Sequence, residues 1–343
     1  MKSFNIHYII VLYLINITNV IAEEDWSFGG HSKYHVIATD NTVDHFLDLR
    51  FKAEKRWQAW QTNIHYEVLG FKGDQIDSDV VQRLDRLFVA YNGEQVVLRF
   101  GRQAISWGNG LVFQPLDIFS PFSPTEIDKE YKTGDDMLYG QWLFENGDDL
   151  QLILLPRNKI ESESSFALKY RGTYQDEWNF DLIAARHFDE NVFGLGLSKN
   201  ILEAMWRLDM SLTQLKDGDT AISLMTNIDY SWVWFEKNFH GFIEYYHNDI
   251  EGLALQKRLE RGEIYTQGSD YLSQGIQIEL HPLFNIHATW INNVENNSGI
   301  FQIRGIYDWA ENLQLVAWLD DAYGDTAEFA IDRQAYMRVI YYF

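Results

Sequence analysis

The chain has 343 residues, no cysteine and a formal net charge of -22, with 28 Lys and Arg against 50 Asp and Glu. Disulfides, thiolate metal centres, Cys nucleophiles and a lipidated cysteine anchor are thereby excluded, and the acidity argues against nucleic acid as a partner. Aromatic residues make up 15% of the chain, yet mean hydropathy is only -0.29. A β-barrel whose alternate residues face lipid and a wet lumen reconciles these two facts.

In chain order, residues 1–22 read as an export signal. Lys2 supplies the positive start, Tyr8 to Val20 is apolar apart from Asn16 and Thr18, and Ala22 offers a small residue before Glu23-Glu24-Asp25. No other stretch approaches the ~20 unbroken apolar residues of a spanning helix. Residues 23–343 then read as one all-β domain, because two-residue alternation recurs throughout and no helix-period segment of convincing length is found. In 57–69, Trp60, Ile64, Tyr66 and Val68 oppose Gln61, Asn63, His65 and Glu67. In 165–174, Phe166, Leu168 and Tyr170 oppose Lys169, Arg171 and Thr173, and in 203–213, Trp206, Leu208, Met210 and Leu212 oppose Arg207, Asp209 and Ser211.

The predicted strands are 27–38, 43–52, 57–69, 81–91, 95–102, 136–144, 149–155, 165–174, 178–188, 191–198, 203–213, 220–233, 238–249, 270–280, 283–292, 299–308, 312–321 and 331–343. This is a transmembrane antiparallel barrel of about 18 strands, with 16 as the alternative count. An even number places both termini in the periplasm. Parity then assigns Asn92-Gly93 and Asn146-Gly147 to tight periplasmic hairpin turns. The segments 71–80, 103–135, 250–269 and 322–330 become outer loops. The five prolines all fall between strands. The chain ends Arg338-Val339-Ile340-Tyr341-Tyr342-Phe343, a closing strand whose terminal aromatic is what outer-membrane insertion machinery reads. The location implied is the bacterial outer membrane, with lipid and lipopolysaccharide as surroundings.

The longest interruption, 103–135, carries Trp107, Phe113, Phe119, Phe122 and three prolines. A long loop with its own apolar residues packs against something, and in a wide barrel that surface is the lumen wall. The loop is therefore expected to fold inward and narrow the pore. The run Phe100-Gly101-Arg102-Gln103, with Trp107-Gly108 and Pro115-Leu116-Asp117 after it, resembles the strand-to-loop signature of porin-superfamily outer-membrane barrels, including the alginate-export-like group. The resemblance implies a channel. In the alginate-export group a basic lumen passes an acidic polysaccharide, an expectation the acidity of this chain sets against.

On these faces Arg50, Arg99, Lys169, Arg171, Arg207, Arg304 and Arg338 point inward, with Arg102 and Trp107 at the loop's start. The loop adds Asp117, Glu126, Asp128, Glu130, Asp135 and Asp136. Basic residues facing an acidic loop would set a transverse field across a constriction, or else pair with it and hold it in place. No calcium-loop spacing occurs among the acids. His187, His240, His247, His281 and His287 are candidate bases, but no Gly-x-Ser-x-Gly or His-Asp-Ser cluster accompanies them, and Gly194-Leu195-Gly196 lies in a strand without the helix that phosphate cradling needs. No catalysis, cofactor or metal is expected. The reading is a passive channel for small hydrophilic solutes or a linear polymer, with an exporter working beside periplasmic partners, or an adhesion barrel, as alternatives.

Overall fold

The computed structural model describes residues 26–343 except 75–76, 127, 158–162, 325–326 and 330–332. The expected signal segment 1–22 lies outside the described residues. Eighteen strands follow one another: β1 (Trp26–Ala38), β2 (Val43–Trp57), β3 (Trp60–Gly73), β4 (Asp79–Asn92), β5 (Val96–Gln103), β6 (Asp135–Leu143), β7 (Asp149–Leu155), β8 (Ser165–Tyr174), β9 (Trp178–His187), β10 (Glu190–Ile201), β11 (Ala204–Gln214), β12 (Thr220–Trp234), β13 (Lys237–Asn248), β14 (Asp270–His281), β15 (Phe284–Asn293), β16 (Gly299–Ala310), β17 (Leu313–Tyr323) and β18 (Gln334–Tyr342). Each pairs antiparallel with its neighbours in the chain, and β1 pairs with both β2 and β18, so the sheet closes on itself. Closure removes the sheet edge, and an edge cannot be tolerated where no water is present to satisfy its backbone groups.

Alternation gives the barrel its two faces. On β9, Asp181, Ile183, Ala185 and His187 are buried, while Leu182, Ala184 and Arg186 between them are exposed. The exposed class around the barrel is rich in Phe, Leu, Val, Tyr and Trp. The inner class is largely polar, with His31, Lys33, Arg50, Glu67, Lys169, Asp209 and Glu244 all buried.

At the seam the backbones of Gly30 and Phe343 exchange hydrogen bonds of 2.8 and 3.2 Å. A Cβ on Gly30 would meet the Phe343 ring at 2.9 Å and the Arg50 carbonyl at 2.0 Å, so only glycine lets the terminal ring lie against β1. A bulge on β4 slips its register against β3 between His65 and Tyr66, leaving Asp85 as the extra residue. Asp85 is 1% exposed and Arg86 is half-buried, so the bulge supplies two adjacent polar side chains to the interior where plain alternation gives one.

Two outer segments differ from the expectation. β3 and β4 run into 71–80, leaving only 74–78 between them. Segment 250–269 contains a ten-residue helix, α1 (Gly252–Arg261). Its Leu, Ala, Gln, Lys and Arg residues are strong helix formers. Gly262, at φ 68°, ends it by donating to the Leu259 carbonyl (3.1 Å), and Glu263 donates to that of Arg258 (2.9 Å). Three turns with leucines at 253, 255 and 259 are too short to show a clear 3.6-residue period.

Candidate functional site: the inward loop and the lumen wall

Residues 104–134 leave β5, enter the barrel and return to β6 after a circuit of the inner wall. Their contacts march around the strands. Trp107 Nε1 donates to Gln151 Oε1 on β7 (3.0 Å). Asn109 donates through its backbone N (2.6 Å) and its Nδ2 (2.7 Å) to the two oxygens of Asp209 on β11. Leu111, Val112 and Phe113 donate three successive backbone N–H groups to Glu244 on β13 at 2.7, 3.0 and 2.7 Å. Asn227 Nδ2 on β12 also donates to that carboxylate, at 2.9 Å. The Gln302 amide on β16 donates to the Thr125 carbonyl (3.1 Å). Asp128 accepts from Arg338 on β18 and Lys33 on β1, both at 2.8 Å, and Lys33 also donates to Glu130 (2.8 Å). Tyr131 lies 4.1 Å under the Arg50 guanidinium of β2, and the Lys132 carbonyl accepts from Arg86 on β4 (2.6 Å). The loop is thus a collar fastened on all sides.

Apolar burial follows the same path. Ile105, Trp107, Leu116 and Phe119 pack with Met137, Tyr139, Ile153, Ala167, Ile183 and Val192 of β6–β10. Val112 and Phe113 pack with Met225, Tyr246, Tyr271, Ile291 and Ile300 of β12–β16, and Phe113 stacks on Tyr246 at 4.4 Å. The wall makes room with glycine. A Cβ on Gly194 would meet Leu116 Cδ2 at 2.7 Å, and one on Gly196 would meet Asn109 Nδ2 at 2.9 Å. Gly194-Leu195-Gly196 is therefore a recess for the collar.

Within the loop, Asp117 pairs with Lys132, and Lys132 also donates to Ser106 (2.9 Å). Burial pushes the Asp117 carboxyl above its ordinary range against the pull of Lys132. Burial raises Glu126 and lowers the Lys129 ammonium in the same way. For Asp128 and Glu130 burial acts upward too, but Lys33 overrides it, with Arg338 helping at Asp128, and both carboxyls are held below their usual values.

The placement of the expected pore residues is mixed. Arg50, Arg99, Lys169, Arg171, Arg207, Arg304 and Arg338 stand on inward faces, but most meet acids of the wall itself. Arg50 pairs with Glu67 and Asp85, Lys169 (3.0 Å) and Arg171 (3.2 Å) share Asp181, and Arg207 pairs with Asp229. Arg99 covers the Tyr139 ring at 5.0 Å. Among the loop acids, Asp128 and Glu130 reach the wall, Asp117 turns to Lys132, and Asp135 faces Arg157 at 3.8 Å. A simple field between a basic wall and an acidic loop is therefore not what is built. Two assignments are corrected. Arg102 and Asp136 form a bidentate pair (2.9 and 2.7 Å) on the outward face, because they alternate with the inward Gln103 and Asp135. Trp107 is buried between loop and wall and lines no open passage.

Sequence reasoning placed Asp209 on the polar face but missed Glu244, Lys33, Tyr131 and Lys132. Alternation could have put Glu244 inward, yet nothing local names its partners 131 to 133 positions away. The structure also assembles a Ser–His–acid chain that the motif search did not anticipate. Ser165 Oγ meets His187 Nδ1 (2.8 Å), and His187 Nε2 meets Glu263 Oε1 (3.2 Å). Ser165 is buried and its oxygen already accepts from Arg157 (2.8 Å), so the chain is a tie between β8, β9 and the outer strap.

That strap, 249–269 with α1, covers part of the collar from outside. Arg258 pairs with Glu190 (2.5 Å), Tyr265 donates to the Pro121 carbonyl (3.2 Å), and Gln267 N–H donates to Glu328 (2.5 Å). A cavity of about 310 Å³ remains between collar and wall, lined by Glu126 and Lys129 on one side and by His240, His287, Gln302 and Arg304 on the other.

The barrel is similar to solved outer-membrane proteins. OccK5 (OpdH) of Pseudomonas aeruginosa superposes with a TM-score of 0.66 at 10% identity, covering 93% of this chain and 97% of that one. OprD of the same organism gives 0.58 at 12% identity, with 93% and 95% covered. Wzi of Escherichia coli, an outer-membrane protein involved in group 1 capsule assembly and described as a carbohydrate-binding β-barrel, gives 0.64 at 8% identity, with 96% and 87% covered. No family model and no curated protein matches the chain. At such identities the likeness is one of fold.

Proposed function

We propose that the protein is a porin-like channel of the bacterial outer membrane, passing small hydrophilic solutes through a lumen narrowed by residues 104–134. The observation that carries this reading is the closed barrel with an apolar outer face and a charged inner wall, between which and the collar a cavity remains that Glu126, Lys129, His287 and Arg304 help to line. The similar solved structures include barrels of this kind. Planar-bilayer recording of the refolded protein in asymmetric salt tests it. Steady ohmic openings are expected, and deleting most of 108–130 should raise single-channel conductance severalfold. A folded barrel that never conducts, before and after the deletion, would overturn the reading.

The finer kinship with alginate-export barrels is carried by the Phe100–Asp117 run alone. The paired charges of the lumen do not favour it, since four of the seven expected lumen cations, Arg50, Lys169, Arg171 and Arg207, already meet acids of the wall. The second reading, a barrel that works with partners or as a structural element, is favoured by one observation. The strap is tied to the collar through Tyr265 and to the wall strands β10 and β9 through Arg258 and Glu263. It predicts a silent wild-type barrel that conducts once the strap is removed.

A further inference from the structure

The outer wall of β4–β9 carries a concavity of about 1540 Å³, against about 510 and 540 Å³ for two others on the outer face. Its floor is Leu87, Val89, Phe100, Leu138, Leu154 and Phe166, and Phe100 is 73% exposed. Two arginines stand over the floor. Arg102 and Arg186 are the penultimate residues of β5 and β9, at the end of the strands nearer the collar loop. Each lies beside an aspartate, Arg102 with Asp136 and Arg186 with Asp189. The wall is also low here: β5, β6 and β7 have 8, 9 and 7 residues, against 15 in β2 and β12.

We infer that this face binds one bis-phosphorylated glycolipid of the outer leaflet, its acyl chains on the apolar floor and its phosphates on Arg102 and Arg186. The inference rests on the outer-membrane placement proposed above. Charge on a lipid-facing surface is costly except near head groups, so two arginines at the top of a short wall mark the level at which head groups come down. A guanidinium has five N–H donors; Arg102 uses three, on Asp136 and the Leu84 carbonyl, and Arg186 donates to Asp189, so both arginines keep donors for phosphate oxygens. Four strand spacings separate β5 from β9, about 19 Å along the wall. One phosphate cannot reach both arginines, whereas a disaccharide head group with a phosphate at each end spans the gap between two such side chains.

The test uses the full-length protein purified from outer membranes in mild detergent, with heat-modifiable gel migration as the check on folding. Native mass spectrometry should find one glycolipid per barrel in the wild type. Retention by the folded double variant Arg102→Gln/Arg186→Gln should be at least tenfold lower. Delipidated wild-type barrel should rebind bis-phosphorylated lipid A at least fivefold more tightly than its monophosphoryl form, and both more tightly than phosphatidylglycerol. Equal retention by the double variant, or equal binding of the three lipids, overturns the site. So does a dimer in sedimentation that covers this face and excludes lipid. A folded, outer-membrane barrel without glycolipid brings down this inference alone, whereas a protein absent from that membrane brings down the location and the inference together.

Discussion

The two halves of the collar are fastened by opposite chemistry. Along 107–119 the wall provides the anions, Asp209 and Glu244, and the loop answers with backbone N–H groups, a buried indole and stacked rings. Along 126–132 the loop provides the anions, Asp128 and Glu130, and the wall answers with Lys33 and Arg338. No residue of the first half is exposed and its acceptors Asp209 and Glu244 are fully buried, so its hydrogen bonds act at low dielectric and each N–H left unpaired is expensive. The second half is partly open, with Asp128 26% and Glu130 34% exposed, so its attraction is screened by salt. The first half sets the position of the collar and the second tunes it.

That contrast can be broken most severely at Glu244. Glu244→Ala leaves three loop N–H groups and Asn227 without an acceptor, and should weaken the loop's attachment by about 3 kcal/mol or more. Limited proteolysis of the folded barrel should then cut between 108 and 118, a segment the wild type protects. Asp209→Ala, which loses two hydrogen bonds from Asn109, should act in the same direction by about 1–3 kcal/mol.

In the second half, Asp128→Asn should cost about 0.5–1 kcal/mol and the effect should shrink in 1 M salt. Current noise recorded at low and high salt checks this, since a freed segment flickers in the passage. The pH dependence has a definite sign. Asp128 and Glu130 are held below their ordinary values of 3.8 and 4.5, so their stabilisation is fully present above those values and is lost as the pH falls below them. Glu126 moves the other way. Burial raises its carboxyl above 4.5, so its charge is lost earlier on acidification. Reversal potentials in asymmetric salt should therefore shift towards anion selectivity before the noise rises, and simultaneous onset would contradict the two assignments. The smallest effect belongs to Arg102→Gln, which removes an outward charge and should leave conductance unchanged.

Architecture was largely legible because a barrel is a local code. Alternation with period two, turn residues between segments and the absence of proline from strands each act over a few positions, and all eighteen strands lie within a few residues of where those signals put them. The inward course of 103–135 was legible for a similar reason, since apolar side chains in a long loop require a surface. Parity also put Arg50, Lys169, Arg207 and Arg338 on inward faces, whereas Arg102 and Asp136 were grouped with the loop and in fact sit one residue off the inward register at the strand ends.

The sequence by itself determined that the chain forms a closed sheet with an apolar outer and a polar inner face, because every residue's side of the sheet there depends on its nearest neighbours. Only the tertiary structure decided what holds the collar. Glu244 meets residues 111–113, Arg338 meets Asp128 across 210 positions, and Gly194 yields to Leu116, pairings that exist only once closure brings distant strands around one lumen. A buried charge takes whichever partner closure presents to it, and local order along the chain carries no record of that choice.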